Sequence, residues 1–397
     1  MANVLKAGVA GAFGYDTPKM VHIPHKSIGI LNRLIQITII GYILGYVIIF
    51  NRGYQLVDRG LGGTTTKVKG VAFTNETDSR IGTRVWDAVD IVVPPEENNA
   101  FFVTTNVIVT NNQTQGECPE STSVAEAKCS NDSSCHPIGR AYQLGHGVST
   151  GVCNGPTTTC VIKAWCPLEV DQTATDYAAL NETKQFTVLL KNHVYFPYYK
   201  RSRTNIRDAS DKRYLQRCTY DDKANKACPV FRLNYIVEQA QKGIDSAQSY
   251  AELARDGAVI SVKVVWRCNF DVDWKLCNPT YEFARLDQGE DSKISKGYNY
   301  RYTKTYFING VETRQLVKAY GILFLVTTDA TAAAFDIATT LLNIGSGIGL
   351  LTLASVICDI VVLYIHKSKA AFKQHKYERL NADGSYSPIS EQQETPS

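Results

Sequence analysis

Two uncharged apolar stretches near the ends of the chain constrain its fold more than any other feature. The first is Leu34–Phe50 (LIQITIIGYILGYVIIF) and the second is Ile337–Cys358 (IATTLLNIGSGIGLLTLASVIC). A bilayer core of roughly 30 Å needs about 20 such residues in one helix. In lipid only helices and closed barrels satisfy every backbone amide, and both stretches are too long for barrel strands. The expectation is a two-pass membrane protein. Residues 1–31 form one flank, 32–50 the first span, 51–334 a large loop domain, 335–364 the second span and 365–397 a tail, polar from Ala382 onward. The first 30 residues lack an apolar h-region and contain Asp16, Pro18 and Pro24. No cleavable leader is therefore expected, and the first span acts as the signal anchor.

Three signals orient the loop outward. It holds the sequons at Asn75, Asn112, Asn131 and Asn181, and none lies elsewhere. Ten of the eleven cysteines lie in it, which suits disulfides in an oxidising compartment. Cations flank both spans on the other side: Lys19, Lys26 and Arg33 before the first, Lys367, Lys369, Lys373 and Lys376 after the second. Positive residues stay inside, so both termini are expected in the cytoplasm. A net charge of +4 gives no reason to expect a nucleic-acid partner. Cys358, inside the second span, reads as a small packing residue.

Within the loop, Thr64–Phe73, Phe101–Thr110, Phe186–Lys191, Val259–Trp266 and Tyr298–Phe307 read as strands, rich in β-branched and aromatic residues. Ile236–Leu253 reads as one or two helices, Gly145–Gly155 as a turn-rich stretch and the final tail as disordered. Cys118, Cys129, Cys135, Cys153, Cys160 and Cys166 form a dense cluster, for which 15 pairings are open. Cys218 with Cys228, and Cys268 with Cys277, are close pairs whose simplest reading is a local bridge. No Cys-x-x-Cys pair points to zinc, so no metal site is expected.

Lys67 and Lys69 are two apart and share one face of a strand. Like charges so close favour solvent or an anionic ligand. Asn299 and Arg301 repeat the spacing with an amide and a guanidinium, and Lys318 follows in Leu316–Gly321. Guanidinium binds phosphate bidentately. Together these residues suit a polyanion such as a nucleoside triphosphate, although no P-loop glycine pattern is present. The second span carries Asn343, Ser346, Gly345, Gly347 and Gly349 at its centre, and Asp359 near its end. Small residues allow close helix packing, and polar ones face a bundle interior or a water path. One two-span chain cannot enclose a pore, so a channel would need an oligomer.

These residues resemble the ionotropic purinergic receptors, trimeric ATP-gated cation channels of animal cell membranes. The resemblance runs from Tyr15-Asp16-Thr17-Pro18-Lys19 to the end of the second span. It rests on Thr66-Lys67-Val68-Lys69-Gly70, the ten ordered loop cysteines, Phe186–Asn192, Gly297–Arg301 and Asn343–Gly347. It implies a homotrimer in the plasma membrane, with two transmembrane helices per subunit and a β-rich, disulfide-stapled outer domain. It implies a non-selective channel for sodium, potassium and calcium, opened by extracellular ATP bound between subunits, and not an enzyme. No cofactor is implied; ATP is the agonist, free or with magnesium. By matching motif, Lys69, Asn299, Arg301 and Lys318 would hold phosphates, and Lys67 both phosphate and adenine. Thr187 would bond adenine, with Leu189 and Leu215 near base and ribose. The implied disulfides are Cys118–Cys166, Cys129–Cys153, Cys135–Cys160, Cys218–Cys228 and Cys268–Cys277, with Cys118–Cys166 bounding a head region. The implied gate lies along Leu342, Asn343, Ser346 and Gly349. Thr17 matches a cytoplasmic threonine that the family links to phosphorylation and desensitisation.

The chain departs from the family pattern in places. Tyr300 stands where Phe is frequent, and Leu323 where Arg is common. Asn51 and Leu56 replace acidic residues, with Asp58 kept, which bears on calcium passage. The tail motif begins with Phe372 in place of Tyr. His136, His146 and His193 read as surface or packing residues more than as zinc or proton sensors. An ecto-nucleotidase would need a glycine-rich phosphate loop, but Asp58-Arg59-Gly60 and Asp287-Gln288-Gly289 lack the Ser/Thr run that completes one. A sodium channel of the epithelial or acid-sensing class shares the topology but expects a longer cysteine-rich loop. A scavenger-type lipid receptor shares it too, without needing the combined cations.

Overall fold

The structure is a computed structural model describing residues 26–74, 83–94, 97–169, 180–206, 213–245, 247–288, 297–365, 369, 379–380 and 386–387. Asn75, Thr17, Lys19, Lys367, Lys373, Lys376 and Phe372 lie outside them. The chain divides into two compact units, Met1–Leu56 with Ala334–Ser397, and Val57–Ala333.

The first unit contains two helices long and apolar enough to cross a bilayer, Lys26–Phe50 and Ile337–Ile365. The first begins at Lys26, ahead of the apolar run, although Ser27, Gly29 and Asn32 are weak helix formers. Its last part, Tyr42–Phe50, winds as a π-helix. The second is capped by Asp336, whose carboxylate accepts from Thr339 N at 2.8 Å, an arrangement worth about 1 kcal/mol. Two faces of the second helix differ. Gly347, Ala354 and Cys358 are buried. A Cβ on Gly347 would stand 2.9 Å from Ile43 Cδ1, so glycine lets the Ile43 side chain pack directly on the helix backbone. Asn343 shares that face and donates its amide to the Gly53 carbonyl. In the tail, Arg379–Leu380 pairs antiparallel with Tyr386–Ser387, the latter within the stretch that reads as disordered.

The second unit is β-rich. The strands in chain order are β1 (Gln55–Arg59), β2 (Leu61–Lys69), β3 (Val71–Thr74), β4 (Arg84–Asp87), β5 (Ala100–Pro119), β6 (Val148–Asn154), β7 (Thr159–Cys166), β8 (Thr187–Phe196), β9 (Arg201–Thr204), β10 (Val230–Arg232), β11 (Ala258–Asn269), β12 (Thr280–Arg285), β13 (Asn299–Ile308) and β14 (Val311–Phe335). The larger sheet runs β12-β11-β14-β5-β7-β6, with β13 also pairing β14. The smaller runs β10-β8-β2, with β9 on β8. Between them lies a core that includes Phe101, Phe186, Leu190, Phe231, Ile260, Trp266 and Phe324. Every expected strand is present. The first is split at Gly70, where a Cβ would meet the Phe186 ring. Ile236–Leu253 resolves into parts of two helices, Leu233–Ala240 and Tyr250–Asp256. Gly145–Gly155 is not simply turn: Val148–Asn154 is a strand, bulged between Ser149 and Cys153, with Gly151 in the left-handed region at φ 79°.

All ten loop cysteines are bridged in the implied pattern, Cys118–Cys166, Cys129–Cys153, Cys135–Cys160, Cys218–Cys228 and Cys268–Cys277. Three of these bridges wrap a small core of Val124, Ala127, Tyr142, Ile162 and Ala164, too small to hold a subdomain without them.

One buried polar network ties the two sheets. Asn192 of β8 is fully buried. Its Oδ1 accepts from Trp266 Nε1 at 2.7 Å, and its Nδ2 donates to Thr328 Oγ1 at 2.7 Å and Thr64 Oγ1 at 2.8 Å. Asn205 Oδ1 accepts from Asn192 N at 2.9 Å, and Asn205 Nδ2 donates to Tyr281 OH at 3.0 Å. Burial pushes the Tyr281 phenol up to about 12, so it stays neutral in this network. Leaving one such buried group unmatched costs about 1–3 kcal/mol.

The glycines of β2 give a direct test of this packing. Gly70→Ala places a methyl within 2.3 Å of the buried Phe186 ring and is expected to cost about 1–3 kcal/mol. Gly63→Ala, with nothing within 4 Å of its Cβ, is the control. Thermal unfolding of the purified chain should show a lowered midpoint for the first alone.

Candidate functional site

Strand geometry sorts the candidate residues into two groups. In β2 the exposed positions alternate, so Lys67 and Lys69 point the same way. The β2–β8 register sets Lys67 opposite Leu189 and Lys69 opposite Thr187. Directly opposed residues share a face, so these four side chains form one surface of the smaller sheet. Lys67 and Lys69 also line a cavity of about 790 Å³, together with Asn99, Phe101 and His193. Leu215 is half-buried in the short helix Tyr214–Arg217.

The second group lies on the larger sheet. In the β13–β14 register Arg301 faces Lys318 and Asn299 faces Tyr320. Asn299, Arg301 and Lys318 therefore share one face. Lys318 is buried, and its ammonium lies 5.3 Å from the centre of the Tyr320 ring. None of these three lines the cavity that Lys67 and Lys69 border.

A residue that the sequence reading did not single out completes the second group. Glu169 Oε2 accepts from Arg301 Nε at 2.7 Å, and Oε1 stands 3.9 Å from Lys318 Nζ. The side chain of Glu169 is only 8% exposed, so this carboxylate is held on the cations and away from water. Its position follows from the strands behind it. Cys166 is bridged to Cys118 and sits opposite Thr114 of β5, which in turn faces Thr313 of β14. Gln113 donates to the Pro167 carbonyl at 2.7 Å and accepts from Arg314 Nε at 2.8 Å. The Arg314 guanidinium stacks 4.4 Å over Trp165. This clamp carries the chain from Cys166 to Glu169 across β14. A lone acid three residues after a cysteine carries no sequence signal for such a role.

Neighbouring departures have local explanations. Leu323 packs in an apolar cluster with Ala100, Phe102 and Ala319. Tyr300 meets Phe102 edge-on at 4.8 Å and donates to the Val93 carbonyl. Burial pushes its phenol up, so the donor is retained. His146 Nδ1 lies 2.6 Å from the buried Glu120 carboxylate, and His136 stacks on Tyr142 at 4.4 Å. His193 is exposed beside the cavity.

In the second span helix, Leu342, Ser346 and Gly349 are spaced four and three residues apart and share a face. Leu342 is 74% exposed, and nothing lies within 4 Å of a Gly349 Cβ. Asn343 sits on the other face, bonded to Gly53. Of the sequon asparagines, Asn112 and Asn131 are exposed, whereas the Thr183 hydroxyl of the Asn181 sequon is buried and donates to the Leu180 carbonyl at 2.7 Å.

Two apolar spans, a disulfide-stapled β domain and two polar faces bearing cations define a membrane protein of the ligand-receptor class. A family model described as ATP P2X receptor matches residues 13–379. P2X purinoceptor 4 of Bos taurus is 40% identical over 93% of this chain and 95% of its own length. P2X purinoceptor 5 of Homo sapiens is 40% identical over 93% of this chain and 82% of its own. A crystal structure of an invertebrate P2X receptor from the Gulf Coast tick, with ATP and Zn²⁺ present, matches with TM-score 0.75 at 41% identity, covering 84% of this chain and 100% of that one. The chicken ATP-gated P2X7 receptor channel, with the competitive antagonist TNP-ATP, matches with TM-score 0.72 at 31% identity, covering 85% of this chain and 100% of its own. The chain belongs to the P2X receptor family.

Proposed function

We propose that the chain is a subunit of an ATP-gated, non-selective cation channel of the plasma membrane. Three copies assemble around one axis, with both termini in the cytoplasm. The observation that carries this reading is the division of the cations between two sheet faces. Lys67, Lys69, Thr187 and Leu189 form one half-site, and Asn299, Arg301 and Lys318 form the other. A half-site on each of two neighbouring subunits would close on one nucleotide. Lys69, Asn299, Arg301 and Lys318 hold the phosphates, Lys67 reaches phosphate and base, Thr187 bonds adenine, and Leu189 and Leu215 pack near base and ribose. ATP arrives free or with magnesium.

Glu169 is an internal partner for the cations Arg301 and Lys318. The ATP phosphates, with more charge than one carboxylate, take its place on Arg301 and Lys318. A ligand shifts an equilibrium only by its differential affinity for the two states. Drawing two half-sites together supplies that difference, since the cations repel until an anion joins them. Leu342, Ser346 and Gly349 line the gate on one helix face, and Asn343 anchors the helix to its own chain. The nucleotidase, sodium-channel and lipid-receptor readings fall away with the family match.

Whole-cell current at negative potential, with the chain expressed alone, tests this. ATP is expected to evoke inward cation current that Lys69→Ala abolishes despite normal surface expression. Current unchanged in Lys69→Ala would sink the site assignment. Glu169→Gln removes the competing charge and should lower the half-activating ATP concentration by about tenfold, the equivalent of about 1.4 kcal/mol. For topology, Asn112→Gln and Asn131→Gln should each remove one glycan's mass on a denaturing gel. An unshifted band for both would place the loop on the wrong side.

A further inference from the structure

We infer that Asn192 is a positioning residue for gating: it pins the strand of Lys67 and Lys69 to the strand that leads into the second span. This rests on the reading of those lysines as phosphate ligands. Three observations support it independently of that reading.

The first is the closeness of the crossing. A Cβ on Gly62 of β2 would lie 2.3 Å from Thr328 Cγ2, and one on Gly60 would lie 2.9 Å from Ala330 Cβ. Gly60 N also donates to the Ala330 carbonyl at 2.9 Å. The glycine backbone of the β2 segment therefore packs directly against the Thr328 and Ala330 side chains of β14, with no side chain on the β2 side to cushion a relative shift.

The second is the bonding of Asn192 at that point. Its two amide hydrogens are shared among Thr328 Oγ1, Thr64 Oγ1 and, at 3.3 Å, the Gly63 carbonyl. Its carbonyl takes the indole proton of the fully buried Trp266, in β11. One side chain thus bonds β2, β11 and β14. An apolar residue of the same size would fill the space and hold none of them. The full satisfaction of a buried amide makes its geometry specific, because any shift leaves a donor or acceptor unmatched.

The third is chain continuity. Thr64 lies three residues before Lys67 on β2, and Thr328 lies eight residues before Asp336, the cap of the second span helix. Lys318 lies ten residues before Thr328 on the same strand, with one register shift between Tyr320 and Gly321. A pull on β2 at the lysines and a pull on β14 at Lys318 meet at Asn192. A smaller group here would let the strands slip, so binding would remain and opening would weaken.

The experiment uses the full-length channel on the cell surface, with three readouts per surface channel. They are the half-activating ATP concentration, the maximal open probability and the displacement of TNP-ATP. TNP-ATP reads the site without opening it, and Lys69→Ala is the control for that binding. Thr328→Val keeps the shape and deletes the hydroxyl; Thr328→Ser keeps the hydroxyl. Thr328→Val is expected to raise the half-activating concentration about fivefold and lower the maximal open probability, with TNP-ATP binding within about twofold of wild type. Thr328→Ser should restore wild-type behaviour. Asn192→Leu, if it reaches the surface, should shift gating at least as far as Thr328→Val, and the two should be less than additive, because both remove the Asn192–Thr328 bond while Asn192→Leu also removes those to Thr64 and Trp266. Wild-type gating in Thr328→Val, equal behaviour of the Val and Ser variants, or equal loss of TNP-ATP binding and opening would overturn the inference. If Lys69→Ala leaves TNP-ATP binding intact, the phosphate assignment fails instead, and the Thr328 result still stands as a measurement of coupling.

Discussion

The 25-residue ladder of β14 is the constraint on which the rest of the loop domain depends. It pairs with β13 and β5 near its start, with β11 near its end and also with β1, so four separate stretches of chain are held in register by one strand. It carries Lys318, packs Leu323 and Phe324, crosses β2 at Thr328 and ends one residue before the helix cap Asp336. The ladder bonds are individually modest. Their number along one strand makes the strand stiff and its ends interdependent. The bulge between Tyr320 and Gly321 is accommodated by glycine, whose Cβ would otherwise lie 2.1 Å from the Val103 carbonyl oxygen.

Around that strand the electrostatics are arranged by layers. Trp165, Arg314 and Gln113 form a stacked and bonded support that holds the chain near Pro167. Glu169 is presented from this support, and Arg301 and Lys318 meet it from β13 and β14. Buried or half-buried charges of this kind are tolerable only when paired, and the cost of stranding one is several kcal/mol. The cysteine-rich region therefore does more than staple a small core. Through Cys118–Cys166 it fixes where an anion sits relative to two cations.

Much of this was legible in the sequence, for physical reasons that can be named. The two spans showed because a bilayer demands uninterrupted apolar length. Lys67 and Lys69 showed because period-two spacing puts charges on one strand face. The disulfide pattern came from resemblance, since spacing alone left the six-cysteine cluster open. What stayed hidden depended on partners. The second half of β5, Asn111–Pro119, is polar and has no apolar alternation, and it is a strand because β7 and β14 flank it. The lower part of β14, Thr327–Ala334, is small and polar and reads as neither strand nor helix; β11 holds it there in parallel pairing. Glycines made Gly145–Gly155 read as turns, whereas Gly151 supplies one bulge inside a strand. Glu169 and Asn192 act through residues far away in sequence, which no local pattern reveals.

The carboxylate on Arg301 and Lys318 has one property that no dissolved ion shares: it is covalently attached. Its local concentration at those cations is set by the Cys118–Cys166 tether and does not change with the medium. Diluting the surroundings cannot remove it, and a monovalent anion meets a rival already in place. A species with several charges on a short chain is the kind of anion that could match both cations at once. If Arg301 and Lys318 are the phosphate ligands proposed above, the tethered carboxylate is then also a filter on which anions reach them.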